Sequence, residues 1–208
     1  VATFSGVKYT SASDADANFV LTAAAGSLVS ATSASINPDV VATRLVFSTQ
    51  PVPIAIQSGQ STSFTTVPVV QSVDANGMVD QDYSTNIVIS VTDPNDGTVD
   101  GTVNSFTVTS GDQDASSTTV TLTPSGGIAT YSGLVIMYTN SGSTNTLALQ
   151  ATSGSLTAIN SSSITATTNS APVFSNLNGG ATYTENGSTV VIDSDVTVAD
   201  TELDALNS

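Results

Sequence analysis

The chain repeats itself once, at the distance of a whole domain. Ala2-Thr3-Phe4-Ser5-Gly6-Val7 returns as Ala129-Thr130-Tyr131-Ser132-Gly133-Leu134, a shift of 127 positions from residue 2 to residue 129. Gly26-Ser27-Leu28 through Ile36 returns as Gly154-Ser155-Leu156 through Ile164, a shift of 128 from residue 26 to residue 154. Val46-Phe47 returns as Val173-Phe174, again at 127. Solenoid units repeat at roughly 20–50 residues, so this period is too long for one of their turns. It matches an autonomous domain of about 100–150 residues. The expectation is a row of globular modules: the C-terminal part of one at 1–41, a complete one at 42–168, and the start of another at 169–208. Such a chain reads as a piece of a much longer polypeptide.

Local patterning predicts strands throughout. Val, Ile and Thr are abundant, and branching at Cβ favours the pleated strand over the helix. Apolar and polar residues alternate at Asn18–Ala24, Val103–Thr109 and Thr118–Thr123, the mark of a half-buried strand, while Asn86–Thr92, with Ile87, Ile89 and Val91 against Val88, Ser90 and Thr92, reads as a central strand. Further strands are expected at Ala2–Tyr9, Ser30–Ile36, Thr43–Ser48, Phe64–Val73, Ala129–Met137, Leu147–Ala151, Ser161–Thr167, Thr182–Thr184 and Thr189–Ile192. Turn chemistry separates them, at Asn37-Pro38-Asp39, Asp74-Ala75-Asn76-Gly77 and Asp93-Pro94-Asn95-Asp96-Gly97. Gln50-Pro51-Val52-Pro53 ends the first strand of the complete module, because each proline removes a ladder donor. About eight of these short strands fall within 42–168, with turns between them, which argues for a β-sandwich there.

Charge and composition then narrow the chemistry. Net charge is −15, and Lys8 and Arg44 are the two cations. A phosphate backbone is bound by clustered Lys and Arg, which excludes nucleic acid as a partner; an anionic membrane surface is excluded for the same reason. No apolar run is long enough to span a bilayer. Cysteine is absent, so there is no disulfide and no thiolate. Histidine is absent too, removing the commonest general base and an imidazole metal ligand. Serine is plentiful, but it has neither a histidine to activate it nor a Gly-x-Ser-x-Gly elbow. The reading is therefore non-enzymatic.

Several motifs carry a resemblance. Leu45-Val46-Phe47 with Gln50-Pro51, Pro68-Val69-Val70 with Asp74-Ala75-Asn76-Gly77, and Gly127-Ile128-Ala129-Thr130-Tyr131-Ser132-Gly133-Leu134 resemble bacterial immunoglobulin-like repeats. Ala171-Pro172-Val173-Phe174, Tyr183-Thr184-Glu185-Asn186-Gly187, Asp193-Ser194-Asp195 and Val198-Ala199-Asp200 resemble the front of a cadherin-like bacterial repeat. The resemblance implies an all-β chain of tandem immunoglobulin-like β-sandwiches in an elongated array. It also implies an extracellular or bacterial cell-surface location, with neighbouring repeats of the same polypeptide as partners. The expected function is a non-catalytic spacer in a large repetitive surface adhesin, holding an adhesive tip away from the cell. Two alternatives stay open: a module that binds a surface glycan or protein, and accessory repeats of a giant extracellular hydrolase.

Ca²⁺ is the cofactor this resemblance implies, since it takes six to eight oxygen ligands from clustered carboxylates and carbonyls. The candidate ligands are Glu185, Asp193, Asp195, Asp200, Glu202 and Asp204, set against the plainer reading of a solvated acidic loop. The stretch Asp74–Asp82 fails the EF-hand spacing and reads as a hairpin. Asp112-Gln113-Asp114 and Asp14-Ala15-Asp16 read as loop residues. Lys8 is either an isopeptide donor or, more simply, an edge charge. The triplets Asn160-Ser161-Ser162 and Asn186-Gly187-Ser188 fit a glycosylation acceptor by chance in a Ser/Asn-rich chain.

Overall fold

A computed structural model describes residues 1–10, 13–14, 17–169, 171–191 and 193–199. The chain is all-β, with no helix among the described residues, and divides into two compact units, Val1–Thr167 and Thr168–Ser208. In the first unit, β1 (Thr22–Ala23) and β2 (Ala31–Thr32) form a hairpin ahead of the main body. There follow β3 (Arg44–Thr49), β4 (Ala55–Gln57), β5 (Ser61–Ser63), β6 (Val69–Val73), β7 (Ile87–Thr92) and β8 (Thr102–Thr107). The unit closes with β9 (Thr119–Leu122), β10 (Ile128–Thr130), β11 (Val135–Thr139), β12 (Thr144–Thr152), β13 (Ile159–Asn160) and β14 (Ile164–Thr167). The second unit pairs β15 (Val173–Ser175) with β16 (Thr197–Ala199).

The main body is built from three sheets, ordered β10-β6-β3, β5-β11-β8 and β4-β14-β12-β7-β9, with β13 added beside β12. Alternating side chains from all three meet in one core. Ile87, Ile89 and Val91 enter from β7, Leu147, Leu149 and Ala151 from β12, Ile136 and Tyr138 from β11, and Leu45 and Val70 from β3 and β6. The Tyr131 ring is fully buried, and its hydroxyl donates to the carbonyl oxygen of Ile87 at 2.9 Å, joining two sheets through the core. Burial raises the pKa of that phenol, so it stays a neutral donor.

Proline and glycine decide where the predicted strands break. The run expected over Phe64–Val73 becomes a strand only from Val69, after Pro68. The run expected over Ala129–Met137 splits into β10 and β11 at Gly133, whose φ of +66° is left-handed and where any Cβ would collide with the Thr109 side chain. After Thr49 the Gln50–Pro53 connector carries the chain to another sheet, where β4 runs parallel to β14. Ala2–Tyr9 forms no strand, and neither do Thr182–Thr184 or residues 189–191.

One stretch of the repeat, residues 19–36 and 147–164, has the same backbone in both copies. Ser33 N donates to Leu21 O at 2.9 Å, and Ser161 N to Leu149 O at 2.8 Å. Leu21 N donates to Ser33 Oγ at 3.0 Å, and Leu149 N to Ser161 Oγ at 2.9 Å. Thr22 and Ala23 face Thr32 and Ala31; Gln150 and Ala151 face Asn160 and Ile159. The turn glycines Gly26 and Gly154 have φ of +50° and +49°. Residues 19–36 thus reproduce residues 147–164 bond for bond. Burial is where they part. Leu149 and Ile164 are 0% exposed, whereas Leu21 and Ile36 are 48% and 37% exposed.

Candidate metal centre

Four aspartates converge where residues 1–41 meet the body. Asp14 accepts from Val40 N at 2.7 Å through Oδ1 and from Gln81 N at 2.6 Å through Oδ2. It therefore clasps the Asn37–Asp39 linker to the segment after the 74–79 turn. Carboxylate oxygens of Asp14, Asp39 and Asp82 all lie within 4.8 Å of one another. Asp80 sits beneath them, pinned by its own N–H to Ser72 O at 3.1 Å and packed against Gly127. Gly127 has a φ of +71°, and a Cβ there would strike the Asp80 carbonyl, so the close approach needs glycine.

Asp80 is the unusual member. It is only 5% exposed, and Oδ2 accepts from Ala42 N at 2.7 Å. Its buried Oδ1 has no hydrogen-bond donor among the described residues. The Asp82 carboxyl lies within hydrogen-bonding reach of Asp80, which raises the Asp82 pKa; the charges of Asp80, Asp39 and Asp14 raise it further. Two ionised carboxylates have no proton to share. One proton, or one cation, would satisfy both.

The donor chemistry narrows the choice of cation. Ca²⁺ takes oxygens at about 2.3–2.6 Å, so oxygens on opposite sides of one ion stand about 4.6–5.2 Å apart. Mg²⁺ takes them at about 2.0–2.1 Å in near-ideal octahedral geometry and keeps several waters, so an all-carboxylate cage suits it less. Asp14, Asp39 and Asp82 bring three carboxylates together, the oxygen-rich set that a hard cation such as Ca²⁺ takes. No family model and no curated protein matches this chain. The chemistry of this cluster is accordingly read from its own residues.

The acids expected to bind Ca²⁺ from the sequence are placed differently. Glu185, Asp193 and Asp195 do not make up a three-ligand group among the described residues. Asp200, Glu202 and Asp204 lie outside the described residues. Asp193 is a loop organiser: Oδ2 accepts from Asn178 N at 2.9 Å and Gly179 N at 2.7 Å, and Oδ1 from Asp195 N at 3.2 Å. Those bonds, that from Gly179 foremost, lower its pKa to about 2. Asp193→Ala is expected to accelerate amide hydrogen exchange at Asn178 and Gly179; unchanged rates there would refute the organising role.

The other acidic motifs are turn builders. Asp74 accepts from Met78 N at 2.8 Å and Asn76 N at 2.9 Å inside the hairpin expected there, and these bonds lower its pKa, Met78 most of all. Asp114 accepts from the Thr121 hydroxyl and from Ser116 N, which likewise lowers its pKa. Asp14, read from sequence as a loop residue, and Asp39, Asp80 and Asp82 were missed as a set. The available signals were Asp80-Gln81-Asp82 beside a glycine turn and an aspartate in the linker.

Proposed function

We propose that the chain is a non-catalytic spacer from a large extracellular bacterial surface protein, in which immunoglobulin-like sandwiches follow one another in an elongated array. Residues 169–208 begin a cadherin-like module in this reading. The observation that carries it is the bond-for-bond recurrence of residues 19–36 at 147–164. A hairpin repeated in register one domain length later is what module duplication leaves behind, and a row of copies supplies reach without any reacting group. The single shared core of β3–β14 supports the sandwich assignment, and the absence of histidine and cysteine fits a chain with no catalytic centre.

The four-aspartate cluster gives the row a way to stiffen. In this reading Ca²⁺ bound by Asp14, Asp39, Asp82 and Asp80 ties the hairpin of one module to the body of the next. The adhesive partner, a surface glycan or protein, lies at a tip elsewhere in the parent. Force spectroscopy on the 208-residue chain tests the reading. Unfolding of residues 42–167 should occur in one step, the released segment reaching a contour of about 430 Å at roughly 3.4 Å per residue, less the distance between its ends when folded. Gradual lengthening at low force would overturn it.

A further inference from the structure

Buried oxygen without a partner collects at one end of the core of the main body. The Tyr138 hydroxyl and Asn145 Oδ1 are both enclosed, and neither has a hydrogen-bond partner among the described residues. Tyr138 is 0% exposed and Asn145 8%. Tyr138 is the last but one residue of β11 and Asn145 the second of β12, so the two stand at the same end of the core. β7 delivers an acid there. Its buried face runs Ile87, Ile89, Val91 and continues to Asp93, which is 7% exposed. Thr92 stands opposite Ala148, so Asp93 comes level with Leu147, one step from Asn145 along the buried face of β12. The chain then turns, Gly97 N donating to Asp93 O at 2.9 Å, and reaches β8 through Asp100 and Gly101. Gly101 lies so close to the Tyr138 ring that a Cβ there would strike the hydroxyl. That hydroxyl therefore points at the backbone carrying Asp100. Burial raises the Tyr138 pKa, and the charges of Asp100 and Asp93 raise it further, which keeps the phenol neutral beside two carboxylates.

We infer that Asp93, Asp100, Tyr138 and Asn145 form a second cation site, which takes a divalent ion of the Ca²⁺ class. Every donor is an oxygen: two carboxylates, a phenol and an amide carbonyl. Ca²⁺ accepts carboxylates and amide carbonyls in flexible geometry. Buried polar groups in folded proteins are met by a hydrogen-bond partner, a water or an ion. A water offers two protons and leaves the charge of Asp93 and Asp100 unbalanced; a divalent ion answers the charge and the orphan oxygens together. The body has no cation of its own for this place, since Arg44, the one basic residue of 42–167, lies beside Gly77. Asp96 is placed otherwise: its Oδ1 accepts from Thr98 N at 2.8 Å within the turn. A bound ion would tie loop 93–101 to the ends of β11 and β12. The site shares no residue with the four-aspartate cluster and does not depend on it. With two carboxylates rather than four it binds more weakly, so the cluster fills first and the two titrate apart.

Tb³⁺ is the probe, because it occupies Ca²⁺ sites and emits when a tyrosine beside it is excited. The full chain carrying both Asp39→Asn and Asp82→Asn, which disables the four-aspartate cluster, is titrated with Tb³⁺ under tyrosine excitation. Emission should appear and be competed away by excess Ca²⁺. Adding Asp93→Asn should weaken binding by about tenfold or more, through loss of the buried charge. The turn survives that change, because the asparagine oxygen can accept from Asn95 N as Asp93 Oδ1 does at 2.6 Å. Asp96→Asn in its place should leave binding unchanged. A second measurement needs no ion. In chelator, Tyr138→Phe deletes an unpartnered hydroxyl and should leave the melting temperature unchanged or raised; a fall would mean that the hydroxyl already has a partner, and would overturn the site. So would the absence of Tb³⁺ emission, emission that Ca²⁺ does not displace, or equal weakening by Asp93→Asn and Asp96→Asn.

Discussion

Leu149→Ala should lower the unfolding free energy by about 2–5 kcal/mol, the range for truncating a buried leucine. Leu21→Ala, at the matching place in the first copy, should change it by no more than about 1 kcal/mol. The two leucines have the same backbone hydrogen bonds and the same neighbour in the facing hairpin strand. They differ in what lies over them: β7 and the rest of the core cover Leu149, while Leu21 faces an open groove. Urea denaturation of both variants isolates that difference from local propensity. Equal small losses would contradict the buried core, and equal large losses would contradict the open first hairpin.

Calcium is expected to raise the melting temperature, and Asp39→Asn or Asp82→Asn to abolish the rise. A ligand at a hundred times its dissociation constant stabilises the folded form by about 2.7 kcal/mol. For a chain of this size, that corresponds to roughly 5–10 °C. Both substitutions fall on exposed side chains, so the fold survives them. Glu185→Gln and Asp195→Asn should leave the rise intact; if they remove it instead, the ion belongs to the third segment. The pH dependence has a defined sign. Since the folded-state pKa of Asp82 is raised, the metal-free protein gains stability from its protonation below the ordinary carboxylate value, about 4, and loses it as pH rises through the raised value. Ca²⁺ competes with that proton. Its effect on melting should be small in acid and full at neutral pH, as calorimetry in both buffers would measure.

Strands with their own signal were readable in the sequence. Ile87, Ile89 and Val91 alternate with Val88, Ser90 and Thr92, and Leu147, Leu149 and Ala151 keep the same period, so β7 and β12 are both marked. β4 and β5 carry none. Ala55-Ile56-Gln57 and Ser61-Thr62-Ser63 are too short and too polar to alternate, and they become strands because neighbours offer them an edge. The metal candidate was hidden for a related reason: positions 14, 39, 80 and 82 meet only once the linker and the hairpin have folded together. The acids crowded near the C-terminal end drew attention by density. Of these, Asp193 proved to be occupied by backbone amides.

The pairing of β4 with β14 bears on how residues 42–167 respond to tension. Thr165 N donates to Ile54 O at 2.8 Å and Ser58 N to Thr167 O at 2.7 Å, bracketing a parallel ladder in which Thr165, Ala166 and Thr167 face Ala55, Ile56 and Gln57. One strand lies near the start of this segment and the other at its end, and both point the same way. Traction on the ends slides them past each other along their length. The load then falls on every bond of the ladder together, whereas an antiparallel hairpin held by its two tails would peel from the outermost bond inward.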